Sequence, residues 1–196
     1  MHHFNPPAMS PDLETKLRAY EALVRRWSAK INLVSRADLE NLWPRHIEDS
    51  LALISHIPEK TTHAIDLGSG AGFPGLVLAI ATNIPFTLIE ADKRKAAFLT
   101  DAAREFSAPV KVLAQRIEDA RPEPAPLITA RALAPLEKLL GLAWPHLVPN
   151  GICLFPKGEN AEAEIAAAEP HWHMDIERCK TRHGQILKLG QIRYEK

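Results

Sequence analysis

Within HAIDLGSGAGFPG, residues 63–75, Asp66 is followed by glycines at 68, 70, 72 and 75. An apolar run that ends in an acid and then sheds its side chains reads as a buried strand, a sharp turn and the start of a helix. Pro74 falls in the first helical turn, where its preset φ fits and its missing N–H costs nothing. Backbone without Cβ atoms at the head of a helix lets a ligand approach closely. Two cofactor chemistries fit these letters. Gly70, Gly72 and Gly75 satisfy the GxGxxG of dinucleotide sites. Asp66 with Gly68, Gly70 and Gly72 satisfies the acid and GxGxG turn of S-adenosylmethionine sites. In the dinucleotide fold the first glycine closes the strand, whereas here the strand ends near Asp66. An acid at that point also suits a methionine ammonium better than a pyrophosphate. S-adenosylmethionine is therefore favoured, with Asp66 holding the ammonium end directly or through water and Gly68, Gly70 and Gly72 admitting the cofactor. Glu90 closes the next apolar run, FTLIE, where a ribose would need a carboxylate.

The elements that would position these residues alternate. Strands are expected at 63–67, 86–90, 110–114, 127–130 and 151–156, with helices near 73–83, 92–106 and 135–147. That alternation indicates a parallel α/β sheet with right-handed crossovers. Ahead of it, Leu13, Leu17, Tyr20, Val24 and Trp27 make one helical stripe. A second helix is expected over 38–57, kinked or started at Pro44. The alanine-rich run from Glu159 predicts another helix, and the C-terminal quarter two strands joined by a turn at His183-Gly184. Ligands of open α/β sheets bind beyond the carboxyl ends of the strands. Residues 68–73, 90–92, 115–118, Arg131 and Lys157 are thus the site candidates, although Arg131 and Lys157 read equally well as exposed loop cations.

The chain has 196 residues, 46% of them hydrophobic, enough for one core and hardly two. Residues 1–60 are expected to form an N-terminal helical extension and 61–196 the cofactor-binding domain, together one compact unit. No apolar run reaches the ~18 residues that a membrane span needs. The opening MHHFNPPAMSPD lacks the basic and apolar regions of a secretory signal and reads as a short frayed lead. Cys153 and Cys179 are too few for a disulfide framework and suit a reducing cytoplasm. Cys153 lies in an apolar strand and reads as core. The HWH at 171–173 offers only two ligands, so no metal site is expected.

Charge is balanced, with 24 basic and 24 acidic residues, whereas nucleic-acid-binding domains are usually basic, often above pI ~9. Any RNA contacts must then come from local clusters. Residues 25–36 hold four cations and no acid. Glu21 is placed to pair with Arg25, which leaves Arg26 and Lys30 for a phosphate-facing surface. Lys93, Arg94 and Lys95 open a helix, where cations oppose the dipole. An RNA phosphate would offset that cost, and a solvated charge run is the plainer alternative. Arg178, Lys180 and Arg182 form a weaker third group.

Taken in order, the segments resemble the small-subunit ribosomal RNA guanine-N7 methyltransferases called RsmG, or glucose-inhibited division protein B. RWSAKINLVS (26–35) is similar to that family's entry segment, RHIEDSL (45–51) to its second-helix motif and DLGSGAGFPG (66–75) to its cofactor turn. RIED (116–119), ARAL (130–133) and FPKG (155–158) resemble its acid, arginine and lysine motifs. RHIEDSL with the glycine turn downstream is far more specific than a lone GxGxG. The resemblance implies a Rossmann-like class I S-adenosylmethionine-dependent methyltransferase. Its sheet would be mostly parallel and seven-stranded, with helices on both faces and the N-terminal helical extension. It implies action on one guanosine in the decoding region of 16S rRNA, in the bacterial cytoplasm, by a monomer whose partner is the small ribosomal subunit. Cofactor contacts are implied at Gly68, Phe73, Ile117, Glu118 and Arg131, with Ile117 and Glu118 framing adenine, and Arg45 joins the RNA-facing set. Three departures stand out: Glu90 where relatives often have Asp, Phe73 where many have leucine, and a short N-terminus.

Guanine N7 presents a free lone pair in the major groove and needs no deprotonation before attacking a sulfonium methyl. No catalytic base or cysteine nucleophile is expected, and Arg131 and Lys157 are at most contributors to a reaction that rests on positioning. The alternatives are a methyltransferase of another substrate, a non-catalytic ribosome-associated binding module and an NAD-dependent oxidoreductase.

Overall fold

The computed structural model describes residues 9–195; the first eight residues of the lead and Lys196 lie outside the described residues. The Ser10 hydroxyl accepts from the Leu13 N–H at 3.2 Å and Pro11 follows, so α1 starts there and runs Pro11–Ile31. Its stripe buries Leu17, Tyr20, Leu23 and Val24, with Leu13 and Trp27 packed at the margin. Glu21 pairs with Arg25 at 2.7 Å, as the i, i+4 spacing predicts.

The expected helix over 38–57 is broken into pieces. After α2 (Arg36–Glu40), capped by Ser35, come a π-turn at Trp43–Glu48, α3 (Asp49–Leu51) and a 3-10 turn at Ile54–His56. Pro44 sits in the opening turn of the π segment, where its missing N–H breaks no earlier ladder. Arg18 lies 3.4 Å over the Trp43 ring and ties this segment back to α1.

Seven strands follow: β1 (Ala64–Leu67), β2 (Phe86–Ile89), β3 (Val110–Leu113), β4 (Ala125–Ala130), β5 (Leu147–Lys157), β6 (Trp172–Lys180) and β7 (Gln185–Tyr194). Between them lie α4 (Gly75–Thr82), α5 (Lys93–Glu105), α6 (Leu136–Ala143) and α7 (Ala161–Ala168). The sheet order is β3-β2-β1-β4-β5-β7-β6. The first five strands are parallel, and β7 inserts antiparallel between β5 and β6. Element boundaries shift where proline intervenes. Pro74 caps α4 instead of entering it, and α6 stops before Pro145 in a short 3-10 turn. β5 starts earlier than expected because Leu147 pairs with Ala125 across a register shift.

Side-chain alternation along the strands sends apolar residues to two layers. Ala64, Leu88, Leu127 and Leu154 pack under α1, α4 and α5, whereas Ile65, Leu67, Ile128 and Phe155 pack under α6 and α7. Cys153 belongs to the second layer and is fully buried, as its apolar surroundings predict. β1 has β2 on one side and β4 on the other, so the strand order reverses there. The crevice beyond the carboxyl ends of these strands is where an open sheet takes a ligand.

Candidate active site

Gly68, Gly70 and Gly72 all have positive φ (64°, 56° and 85°), a backbone conformation that favours glycine. Their faces differ. A Cβ on Gly68 would lie 2.6 Å from Leu133 Cδ1, in the loop after β4. A Cβ on Gly70 would meet only the Gly68 carbonyl, at 3.9 Å, and otherwise open space. Gly72 turns inward against the Tyr20 hydroxyl, Leu76 and Leu99. Tyr20 donates its hydroxyl hydrogen to the Ala71 carbonyl and its ring meets Phe73 edge-on at 5.8 Å. The N-terminal helix thus braces the glycine turn from below.

Two expected cofactor contacts move. Asp66 is fully buried, its Oδ1 accepting from the Thr129 hydroxyl at 2.6 Å. Gly75 seals it beneath α4, since a Cβ there would fall 2.5 Å from Asp66 Cβ. Burial pushes the carboxyl up to about 6, against the lowering pull of Thr129, Ser69, the Gly75 N–H and Arg131. Asp66 therefore supports the turn and does not line the cavity, and Gly72 packs on Tyr20 instead of admitting a ligand. Gly75, the last glycine of the dinucleotide pattern, is likewise turned into the core.

The remaining turn residues surround one cavity of about 540 Å³ at the strand ends. Gly68, Gly70 and Phe73 line it from β1, Glu90 from β2, Ile117 and Glu118 from β3, and Arg131 from β4. Glu90 clamps two segments: Oε2 accepts from the Gly70 N–H and Oε1 from the Asp92 N–H, both at 2.8 Å. Each oxygen has acceptor capacity to spare, and Glu90 lines the cavity. Asp92 in turn caps α5 and binds Arg94, whose hydrogen bonds hold the Asp92 carboxyl down at about 2. That answers the cations at the start of α5, since Arg94 is already paired. Lys95, expected to face RNA, lines the cofactor-sized cavity instead, while Lys93 is exposed.

Arg131 stands at the far wall. It donates to the Arg45 carbonyl at 2.8 Å and to His46 Nδ1, and lies 5.5 Å over the Phe73 ring. His46 stacks on Phe73 with centroids 5.0 Å apart. Burial, and next the Arg131 charge, bring its imidazole down to about 4, so it is neutral and accepts through Nδ1. The placement of His46, inside RHIEDSL, is a feature that sequence reasoning missed. Its motif was visible, but nothing in the letters says that the ring touches a residue 85 positions later. Leu33, Val34, Ser35 and Asp38 complete the same wall.

A second cavity, about 630 Å³, shares Asp38, His46 and the 131–134 loop with the first. Arg45, Asp49, Lys157 and His183 line it. Lys157 is largely enclosed and donates to Glu164 at 2.7 Å and to the Ala134 carbonyl at 2.9 Å, so it is neither a solvated loop lysine nor a free cation. Arg26 and Lys30 are exposed on α1 and line neither cavity. Of the HWH pair, His171 meets Glu137 at 2.9 Å. One mixed trio among the described residues, His56, Glu177 and Cys179, brings its ligand atoms within 4.8 Å of one another, with Glu177 already paired to Lys188.

The fold recurs in solved methyltransferases. A ribosomal protein L11 methylase from Lactobacillus delbrueckii subsp. bulgaricus superposes with a TM-score of 0.59 over 78% of this chain and 79% of that one, at 19% identity. The N-methyltransferase NodS from Bradyrhizobium japonicum WM9, solved with S-adenosyl-l-homocysteine, gives 0.55 over 89% and 97%, at 13% identity. At these identities the likeness is one of fold, and the fold is that of class I S-adenosylmethionine-dependent methyltransferases. The open face of Gly70 and the spare acceptor capacity of Glu90 at the cavity wall fit that cofactor. At the level of sequence, the model of the family described as "rRNA small subunit methyltransferase G" (GidB) matches residues 13–188. Ribosomal RNA small subunit methyltransferase G of Gluconobacter oxydans (strain 621H) is 51% identical over 188 residues, covering 94% of this chain and 97% of that protein. This chain belongs to the GidB family. The dinucleotide alternative falls with that assignment.

Proposed function

We propose that this protein transfers the methyl group of S-adenosylmethionine to N7 of one guanosine in the decoding region of 16S rRNA. The observation that carries the reading is the pair of cavities joined at the Arg131–His46 wall, one at the strand ends and one rimmed by Arg45 and His183. Bound in the first, the cofactor supplies an electrophilic methyl on a sulfonium. Gly68 and Gly70 allow backbone approach, Glu90 accepts from ribose hydroxyls, and Ile117 with Glu118 frames adenine. Arg131 uses two of its five donors on Arg45 and His46, which leaves others for the cofactor carboxylate. No side chain needs to remove a proton, because N7 attacks with a lone pair already free. The work of the chain is alignment, which can supply up to ~7–11 kcal/mol of barrier lowering. His46, held neutral, serves as a positioning residue for Arg131.

Residues 1–60 and 61–196 act as one unit in this reading, supported by the packing of Tyr20 on the glycine turn. The protein works as a cytoplasmic monomer on the small ribosomal subunit; among the described residues no helix is long and apolar enough to cross a membrane. The test is transfer of a tritiated methyl group to unmodified 16S rRNA and to intact small subunits, with the product mapped by chemical scission at 7-methylguanosine. One labelled guanosine is expected. Label at another atom, or none in rRNA, overturns the reading. Gly70→Val, which fills the cavity, is expected to abolish both transfer and cofactor binding.

A further inference from the structure

Three carboxylates line the second cavity: Asp38, Asp49 and Glu164. Two are engaged. Asp38 accepts from the Ser35 hydroxyl at 2.6 Å, and Glu164 accepts from Lys157 at 2.7 Å and the Leu136 N–H at 2.8 Å. Asp49 opens α3, three residues after His46, and both line the cavity. Among the described residues it has neither a hydrogen-bond nor an ion-pair partner; burial raises its carboxyl above the usual range, against the lowering charges of His183, Arg131 and Arg45. A half-buried carboxylate with no protein partner keeps the acceptor capacity of both oxygens for the donors of a ligand that enters the cavity.

The geometry points to this cavity as the site of the target base, with Asp49 reading the Watson–Crick edge of guanine. This inference rests on the reading that the protein methylates a guanosine. A base must leave its stack before an enzyme acts on it in a closed pocket, and a flipped base is read on that edge. Guanine alone places two donors side by side there, N1–H and the exocyclic N2–H, and one carboxylate accepts both. Adenine and cytosine set a ring acceptor beside their amine, which a carboxylate repels. Uracil offers one donor between two carbonyls. Gripping guanine by N1 and N2 leaves N7 on the far side of the purine, free for the wall shared with the cofactor cavity. Leu133, Pro156 and Ile186 offer apolar surface to the ring, and Arg45 and His183 stand at the rim for the flanking phosphates.

The test uses the full-length protein saturated with S-adenosylhomocysteine, so that nucleotides cannot enter the cofactor cavity. Binding of guanosine, inosine and adenosine 5′-monophosphates is measured by ligand-observed NMR. Wild type is expected to prefer guanosine over adenosine by about tenfold or more, the scale of one bidentate base contact. Inosine, which lacks the N2 amine, is expected between them. Asp49→Asn is expected to erase the ranking and to lower kcat/KM on small subunits at least tenfold, with cofactor affinity unchanged. Asp49→Glu is expected to restore part of the preference. A wild type that binds the three nucleotides equally overturns the proposal, even if Asp49→Asn fails to fold. So does a folded Asp49→Asn that methylates subunits at the wild-type rate. A wild type that ranks the nucleotides but leaves rRNA unlabelled overturns the methylation reading instead and keeps the pocket.

Discussion

Glu90 shows how one side chain can hold a loop and line a cavity at once. Its two oxygens take the Gly70 and Asp92 N–H groups, so removing it orphans two donors and withdraws a carboxylate from the cavity. Hydrogen bonds to a charged group contribute ~1.5–3 kcal/mol each. Glu90→Ala is therefore expected to weaken S-adenosylmethionine binding by calorimetry at least tenfold; an unchanged affinity would reduce Glu90 to a loop clamp. His46 and Asp66 make a paired prediction about pH. His46 titrates near 4 when folded against about 6.5 when unfolded. As pH falls through that window the unfolded chain takes up a proton that the folded one refuses, and stability drops. Asp66 titrates near 6 when folded against 3.8. Between those values the folded chain keeps a proton that the unfolded one has lost, so stability drops as pH rises. Each contribution is roughly 3 kcal/mol, at 1.36 kcal/mol per unit, and the two oppose each other. In urea titrations from pH 4 to 6.5, Asp66→Asn should make stability climb more steeply with pH than in wild type, and His46→Gln less steeply. Identical slopes in all three proteins would contradict both assignments.

At the scale of elements, α1 works on the site without entering it. Tyr20 reaches the Ala71 carbonyl through its hydroxyl and sits among Phe73, Phe98 and Phe106. Burial raises its phenol well above the usual range, so it stays a donor. Tyr20→Phe keeps the ring and deletes one buried hydrogen bond, a loss of about 0.5–1.5 kcal/mol or somewhat more because the carbonyl is orphaned. The same variant is expected to weaken cofactor binding several-fold, because the turn it braces is the one that lines the cavity. A stability loss with unchanged binding would show that the turn holds its shape unaided. The broken second helix is the companion device. Its π-turn puts His46 against Arg131 and, three residues later, Asp49 against the second cavity. π-bulges frequently occur at functional sites, and here the wider turn sets which side chains face β4.

For the whole molecule, zero net charge means that affinity for a polyanion rests on local arrangement. Arg94 is paired with Asp92, Arg178 with Glu162 and Arg182 with Glu48. Arg26 and Lys30 are exposed and carry no ion pair among the described residues, as sequence spacing suggests. Replacing both by alanine is expected to weaken binding to the small subunit and to flatten its salt dependence by ~0.9 for each duplex-like phosphate that is no longer neutralised. Cofactor affinity should not change, because neither residue reaches a cavity. Equal methylation by the double variant and wild type at every salt concentration would move the RNA face to Arg45 and the turn around His183.

Much of this was legible in the letters because it depends on local physics. Strand-helix alternation, the glycine turn at the end of β1, the α1 stripe and the Glu21–Arg25 pair follow from periodicity, backbone freedom and neighbour spacing. The acids and cations at strand ends were found by the rule that open sheets bind ligands there, and Glu90, Glu118 and Arg131 do gather at one crevice. Tertiary structure decided which way each of them faces. Asp66 and Gly72 belong to the same motif as the cavity-lining Gly68 and Gly70, yet Gly75 and Tyr20, packed from α4 and α1, turn them into the core. Lys157 met Glu164 only because α7 folds back beside β5, and His46 met Arg131 only across 85 residues of chain. Periodicity reports the face a residue shares with its own element. The partner that packs against that face comes from elsewhere in the sequence, and it alone determines whether a charged group is engaged or, like Asp49, left open to a ligand.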